Sequence, residues 1–136
     1  MNGRSSECKM PLTTVLIEDS KTIRDNLVPA MAELADINVV AIAETASEAL
    51  AALVRHSDVW ELAVVDLFLK EGSGLAVLRA HQDRLPHQHM VVLTNYPTAE
   101  IRRRCLALGA DGIFDKSNEL EAFFELCNSF EPRPRG

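Results

Sequence analysis

Short apolar runs alternate with longer segments of helical spacing along most of the chain, and this alternation constrains the fold more than any other feature. The apolar runs are rich in β-branched residues and mostly unbroken, which is typical of strands buried on both faces of a sheet. They predict five strands, at Thr13–Ile17, Ile37–Ala43, Leu62–Val65, Met90–Leu93 and Gly112–Phe114.

The segments between these runs place apolar residues three and four positions apart, as an amphipathic helix does. They predict five helices, over Lys21–Ala35, Thr45–His56, Ser73–Gln82, Thr98–Leu108 and Asn118–Phe130. Strands that alternate with helices form a parallel sheet covered on both sides. The predicted fold class is therefore α/β, a doubly wound five-stranded parallel sheet with helices on both faces. Pro29 fits least well, because a proline should kink the first helix or shift its start.

Composition and charge argue against several classes of protein. The 136 residues are 47% hydrophobic, which suffices for one domain with a buried core, and no apolar run is long enough to cross a membrane. The net charge of −6 argues against general nucleic-acid binding. Cys8, Cys105 and Cys127 lack the spacing of a disulfide framework or a zinc site, which favours a reducing, cytoplasmic location.

The two ends of the chain differ in pattern from its middle. Residues 1–11 are predicted to form an N-terminal tail, residues 12–130 the domain, and residues 131–136 a C-terminal tail or the start of a linker. The final E-P-R-P-R-G is too rich in proline to join a helix or sheet.

Charged and hydroxyl side chains stand where the predicted strands end. Glu18 and Asp19 follow the first strand, Asp66 the third and Lys116 the fifth, while Thr94 comes directly after the fourth. Carboxyl ends of parallel strands lie along one edge of the sheet, so these groups should meet there. Clustered carboxylates repel one another and favour a hard divalent cation such as Mg²⁺, whereas the absence of His and Cys from these positions argues against zinc. The set suits phosphoryl transfer, with Asp66 as the attacking carboxylate.

The chain resembles the receiver domain of bacterial two-component response regulators. The resemblance covers about Leu12–Phe130, and it depends on the order and spacing of several short motifs. These are V-L-I-E-D-S, L-A-V-V-D-L, E-G-S-G-L, V-V-L-T and G-A-D-G-I-F-D-K-S. It implies a flavodoxin-like sheet with strand order 2-1-3-4-5. It also implies a cytoplasmic signalling protein that promotes only its own phosphorylation and dephosphorylation, and so is not an enzyme.

The resemblance also assigns roles at the strand ends. Asp66 would accept a phosphoryl group from a sensor histidine kinase or a histidine phosphotransfer protein, Lys116 would pair with Asp66 and the phosphoryl group, and Thr94 would move toward that group. The cofactor would be Mg²⁺ or Mn²⁺. Its implied ligands are Glu18, Asp19, Asp66 and the backbone carbonyl of Phe68.

In the family, phosphorylation changes the partner affinity of a surface built by the fourth helix, fifth strand and fifth helix, here called the output face. The apolar stripe of the last helix is wide enough to leave apolar area exposed there, although all of it could instead be core. A homodimer through this face is one arrangement that the resemblance allows, whereas direct contact of this domain with nucleic acid or a membrane is not expected. The expected partner-face residues are Arg102, Phe114, Phe123, Leu126 and Phe130.

Two positions depart from the family's usual pattern, and two aromatic residues bear on how fast the phosphoryl group is lost. Ile113 stands where the family often has an aromatic switch residue, so coupling to the output face should differ. Ser117 replaces the usual proline after the lysine, which removes the main reason for a cis peptide. Phe68 and Tyr96 occupy positions that tune hydrolysis in the family, and two aromatic rings there predict slow loss of the phosphoryl group.

Other functions remain as alternatives. The chain could be the receiver part of a longer DNA-binding response regulator, or a pseudo-receiver, an interaction module that is never phosphorylated. An aspartyl phosphatase of the haloacid-dehalogenase type is disfavoured, because Phe68 stands where that chemistry needs a second aspartate. A flavin-binding module is disfavoured because Glu18 and Asp19 would repel phosphate after the first strand.

Overall fold

The computed structural model describes residues 11–132, so Cys8 and most of both predicted tails lie outside the described residues. Strands and helices alternate throughout this range. The strands are β1 (Leu12–Ile17), β2 (Ile37–Ala43), β3 (Leu62–Val65), β4 (His89–Thr94) and β5 (Gly112–Asp115). The helices are α1 (Lys21–Ala35), α2 (Ala46–Arg55), α3 (Gly74–Ala80), α4 (Ala99–Ala107) and α5 (Leu120–Ser129).

All five strands pair in parallel in the order β2-β1-β3-β4-β5, which confirms the predicted fold class and strand order. The chain runs from β1 outward to β2, then returns past β1 to β3 and continues to β5. The order therefore reverses between β1 and β3. In sheets of this kind the crevice at that reversal, beyond the carboxyl ends of the strands, is where ligands bind.

Two apolar clusters cover the two faces of the sheet. Alternate strand residues point to opposite faces, so β1 supplies Val15 and Ile17 to one cluster and Leu16 to the other. Helices α2, α3 and α4 pack on the first face, and α1 and α5 pack on the second. The sheet is thus buried on both sides, which explains why its strands read as unbroken apolar runs.

Four of the five helices begin with a serine or threonine N-cap residue in the segment that follows a strand. The side chains of Ser20, Thr45, Ser73 and Thr98 accept hydrogen bonds from backbone N–H groups of the first helical turn at 3.0–3.2 Å. At α2, the Glu48 carboxylate reaches back to the backbone N–H of Glu44 at 2.8 Å, one residue before the cap. These caps hold the helix starts at the same edge as the strand ends.

Helix α1 has the predicted bounds, Lys21–Ala35, and Pro29 lies inside it without shifting its start. Helix α3 has only seven residues, because it starts at Gly74 and its last turn is closed at His81. Within residues 11–132, no helix is long and apolar enough to cross a membrane.

Candidate functional site

Three segments that are distant in sequence meet at the carboxyl edge of the sheet. Glu18 and Asp19 leave β1, Asp66 leaves β3 and Lys116 leaves β5. The three acids each offer a carboxylate oxygen, and these oxygens lie within 4.8 Å of one another. The Lys116 Nζ lies 2.6 Å from Glu18 Oε1 and 3.3 Å from Asp66 Oδ2. The structure therefore brings together the acids and the lysine that the strand ends predicted.

Three of the four charged side chains in this cluster are buried. The side chains of Glu18, Asp66 and Lys116 are only 3%, 7% and 9% exposed. The pKa of Asp66 is raised to about 6, mainly because the carboxyl is buried; the Lys116 charge and the Phe68 N–H lower it, and the nearby Glu18 charge adds to the rise. One ammonium group faces three carboxylates, so the cluster carries a net charge of −2 when all are ionised. Such a set favours an incoming cation.

Glu18 accepts hydrogen bonds at its side chain and at its backbone carbonyl that the sequence did not indicate. Its Oε1 accepts from Lys116, and its Oε2 accepts from the Ser20 N–H at 3.1 Å. Its backbone carbonyl accepts from Arg24 Nη1 at 2.9 Å, and Arg24 also pairs with Glu44 at 2.9 Å. Sequence reasoning missed Arg24, although a basic residue in the first turns of a helix that follows two acids was the available signal.

A close approach between backbones shapes the segment after Asp66. A Cβ on Gly74 would lie 2.4 Å from the Asp66 carbonyl oxygen, so only glycine lets the start of α3 pack here. Gly72 has a φ of +82°, which glycine adopts without strain. An antiparallel bridge joins Phe68 to Ser73 and closes the loop. The turn at these glycines therefore positions the loop beside Asp66.

A cleft of about 310 Å³ opens above the acidic cluster. Its lining includes Asp19, Asp66 and Lys116, with Phe68 and Tyr96 on the solvent side. The two rings are 58% and 69% exposed and meet edge to face, with centroids 6.4 Å apart and planes at 81°. Two exposed aromatic rings in mutual contact thus form one rim of the cleft.

Thr94 does not line this cleft. It is the last residue of β4 and is fully buried, and its Oγ1 accepts a long hydrogen bond of 3.4 Å from the Tyr96 N–H. Donation from Thr94 to a group on Asp66 would therefore involve a rotation of its side chain or a movement of the segment after β4.

The partner-face prediction is wrong for Phe123, which is completely buried. Its ring packs on Phe114 with centroids 6.1 Å apart, and Phe114 and Leu126 are half-buried against the same core cluster. Phe130 stacks on His89 at 3.9 Å. These side chains are used inside the molecule because α5 packs against β5 on this face of the sheet.

The last of the five expected partner-face residues, Arg102, and the residue at the atypical switch position, Ile113, are also engaged within the chain. Ile113 is buried in the core between the sheet and α4. The Arg102 side chain is 37% exposed, and its guanidinium donates to Pro97 O, Ile113 O and Glu119 Oε1. Arg102 therefore contacts several elements of its own chain.

The sequence matches the response regulator receiver domain family over residues 14–128. The chain belongs to this family. A curated relative is the DNA-binding transcriptional activator DevR/DosR of Mycobacterium tuberculosis, which is 28% identical over 97 residues. That match covers 71% of this receiver domain chain and 44% of the relative, so the chain spans less than half of the relative's length.

Solved structures share the receiver fold at low sequence identity. A DNA-binding response regulator of the LuxR family from Staphylococcus aureus superposes with a TM-score of 0.77 at 15% identity, covering 88% of this chain and 98% of that chain. A chain of the CheX–CheY–BeF₃–Mg²⁺ complex from Borrelia burgdorferi gives 0.74 at 14% identity, covering 89% and 92%. Likenesses at this identity show the fold alone.

Proposed function

We propose that this receiver domain accepts a phosphoryl group on Asp66 from a sensor histidine kinase or a histidine phosphotransfer protein, and that this changes its protein contacts. The observation that carries the proposal is the geometry around Asp66. A buried carboxylate lies 3.3 Å from a buried lysine and within 4.8 Å of two further acids, in the lining of an open cleft. Proteins that respond to such a donor work in the cytoplasm, where we place this chain.

The donor set fits Mg²⁺ or Mn²⁺. It consists of carboxylate oxygens with a net charge of −2, and hard divalent cations prefer such ligands. Glu18, Asp19, Asp66 and the backbone carbonyl of Phe68 would hold the ion. Glu18 and Asp66 would share their oxygens between the ion and Lys116, which pairs with both carboxylates. When bound, the ion would neutralise the negative charge that accumulates between Asp66 and the phosphoryl oxygens.

The reaction would use Asp66 as the nucleophile. An Asp66 carboxylate oxygen bonds to phosphorus while the bond from phosphorus to the donor's histidine nitrogen breaks, and that nitrogen keeps the electron pair. Lys116 would neutralise a phosphoryl oxygen. Because the pKa of Asp66 is about 6, the carboxylate is ionised at neutral pH. Water later breaks the acyl phosphate, so the chain turns over only its own phosphoryl group and is not an enzyme acting on a separate substrate.

The aromatic rim would lengthen the life of the phosphorylated state. Phe68 and Tyr96 stand between the cleft and solvent, and their contact hinders the approach of water to the phosphoryl group. We propose that hydrolysis is slow for this reason.

A second function is favoured by the curated relative. DevR/DosR is a DNA-binding activator, and this chain spans 44% of its length. The chain would then serve as the receiver part of a longer DNA-binding regulator, with no direct contact between this acidic domain and DNA. A reading frame that continues past Gly136 into a helix-turn-helix sequence would support this, and one that stops there would exclude it.

Intact mass after incubation with acetyl phosphate tests the proposed function. We expect one phosphoryl group on the wild type in the presence of Mg²⁺, and none without Mg²⁺ or on Asp66→Ala. The exposed Asp83→Ala variant is the matched control and should be phosphorylated normally. If the wild type took no phosphoryl group and bound no Mg²⁺ in a titration, the domain would be a pseudo-receiver.

A further inference from the structure

Arg102 in α4 is hydrogen-bonded to three separate parts of the chain. Its Nε donates to Pro97 O at 3.1 Å, in the segment between β4 and α4. Its Nη1 donates to Ile113 O at 3.2 Å, in β5, and its Nη2 donates to Glu119 Oε1 at 3.0 Å, at the start of α5. One side chain therefore ties together the elements that form the output face.

The first of these acceptors is linked to the phosphorylation site through Thr94. Pro97 lies three residues after Thr94 in a short segment with its own hydrogen bonds. Tyr96 N–H donates to Thr94 Oγ1 at 3.4 Å, and Thr98 N–H donates to Tyr96 O at 2.9 Å. A displacement of Thr94 toward Asp66 would therefore pull on the segment that carries the Pro97 carbonyl.

Another acceptor is linked to the site through Lys116. Glu119 Oε1 accepts from Arg102 and also from the backbone N–H of Asp115 at 2.9 Å. Asp115 directly precedes Lys116, whose Nζ bridges Glu18 and Asp66. The Thr94 and Lys116 segments thus converge on the same guanidinium.

A guanidinium is suited to link such segments. It is planar and rigid, and its five donors have fixed relative directions, so three acceptors bonded to it cannot shift independently. Hydrogen bonds of 3.0–3.2 Å weaken steeply once distances pass about 3.5 Å. Ile113, at the position where the family often has an aromatic switch residue, has no polar group on its side chain, and its backbone carbonyl instead accepts a hydrogen bond from Arg102.

We propose that Arg102 is the positioning residue that couples the state of Asp66 to the output face. This inference rests on the proposed function, because it needs a group on Asp66 that draws Thr94 toward it. Movement of Thr94 shifts Pro97, the guanidinium follows it, and Glu119 at the start of α5 is displaced in turn. Arg102 touches no reacting atom and acts only through Thr94, Lys116 and their segments.

The test uses beryllofluoride with Mg²⁺ as the probe and backbone amide NMR shifts as the readout. In the wild type we expect shifts at the site, at Asn95 and Lys116, and also at the start of α5, from Glu119 to Phe123. In Arg102→Ala the site shifts should persist while the α5 shifts fall below half of their wild-type size. Arg102→Lys keeps the charge without the planar fork, so it should show the same loss. Arg103→Ala, a change in the adjacent exposed arginine, should behave as the wild type.

The outcomes separate this inference from the proposed function. Site shifts with full-sized α5 shifts in Arg102→Ala would overturn the coupling role and leave the proposed function intact. Absence of site shifts in the wild type would overturn both. If a thermal melt shows that Arg102→Ala is unfolded, Glu119→Ala removes the same link from the other side, and full-sized shifts in the rest of α5 would then count against the proposal.

Discussion

Replacing Asp66 by asparagine should make the metal-free protein more stable at pH 8. Burial raises the pKa of this carboxyl from its ordinary value of 3.8 to about 6. A carboxyl with a higher pKa in the folded state than in the unfolded state binds its proton more tightly when folded. Its ionisation therefore lowers stability as the pH rises from 3.8 through about 6. Asparagine resembles the protonated form and avoids this loss.

The size of the effect follows from the same shift. At roughly 1.4 kcal/mol per pH unit, the rise from 3.8 to about 6 corresponds to about 3 kcal/mol once the carboxyl is fully ionised. The stability advantage of Asp66→Asn should fall to about half of its full value at pH 5, because Asp66 is then mostly protonated in the folded protein. The conversion is appropriate because Asp66 is only 6% exposed.

Urea unfolding in the presence of a chelator, at several pH values from 5 to 8, measures this difference. Asp83→Asn makes the same chemical change at an exposed position and should leave stability almost unchanged. Saturating Mg²⁺ should stabilise the wild type more than Asp66→Asn, and so reduce the difference in their free energies of unfolding. The reasoning fails if Asp66→Asn is no more stable than the wild type at pH 8, or if its advantage does not depend on pH.

Three further changes probe the site. Gly74→Ala places a Cβ 2.4 Å from the Asp66 carbonyl oxygen and should cost about 2–3 kcal/mol in urea unfolding; wild-type stability would contradict the packing argument. Lys116→Met leaves Glu18 and Asp66 buried without their shared cation. It should lower the stability of the metal-free protein by about 3–5 kcal/mol at pH 8, part of which Mg²⁺ restores, and an undiminished stability would argue against a buried ion pair. Tyr96→Ala removes one ring of the aromatic rim and should speed loss of the phosphoryl group several-fold in a mass-against-time assay, whereas an unchanged rate would exclude shielding.

The fold could be predicted from the sequence because strands buried on both faces leave a direct signature. The run Leu62–Val65 is apolar throughout, and β3 has the predicted bounds. The start of α3 was harder to predict from the sequence, since it depends on how closely Gly74 approaches the end of β3. Pro29 did not shift the start of α1, because its local effect is weaker than the packing of Leu27 and Met31 on the sheet.

The composition of the site could be predicted because parallel strands must end at a common edge. The pairing of the charged groups within the site could not be predicted in this way. Lys116 lies closer to Glu18 than to Asp66, although 98 residues separate it from Glu18. The contacts of Arg102 with Ile113 and Glu119 likewise depend on how α4 sits beside β5 and α5. The apolar period of α5 indicated its core side, but the burial of Phe123 depends on what packs against it.

The most direct test of the central claim is to locate the phosphoryl group within the chain. Borohydride reduction of the acetyl phosphate-treated protein cleaves an aspartyl phosphate and leaves homoserine in place of the modified aspartate. Peptide mass spectrometry then identifies the position. We predict homoserine at position 66, only when Mg²⁺ was present during phosphorylation. Homoserine at another aspartate, or a phosphoryl group that survives reduction on a serine or threonine, would contradict the assignment of Asp66 as the phosphoryl acceptor.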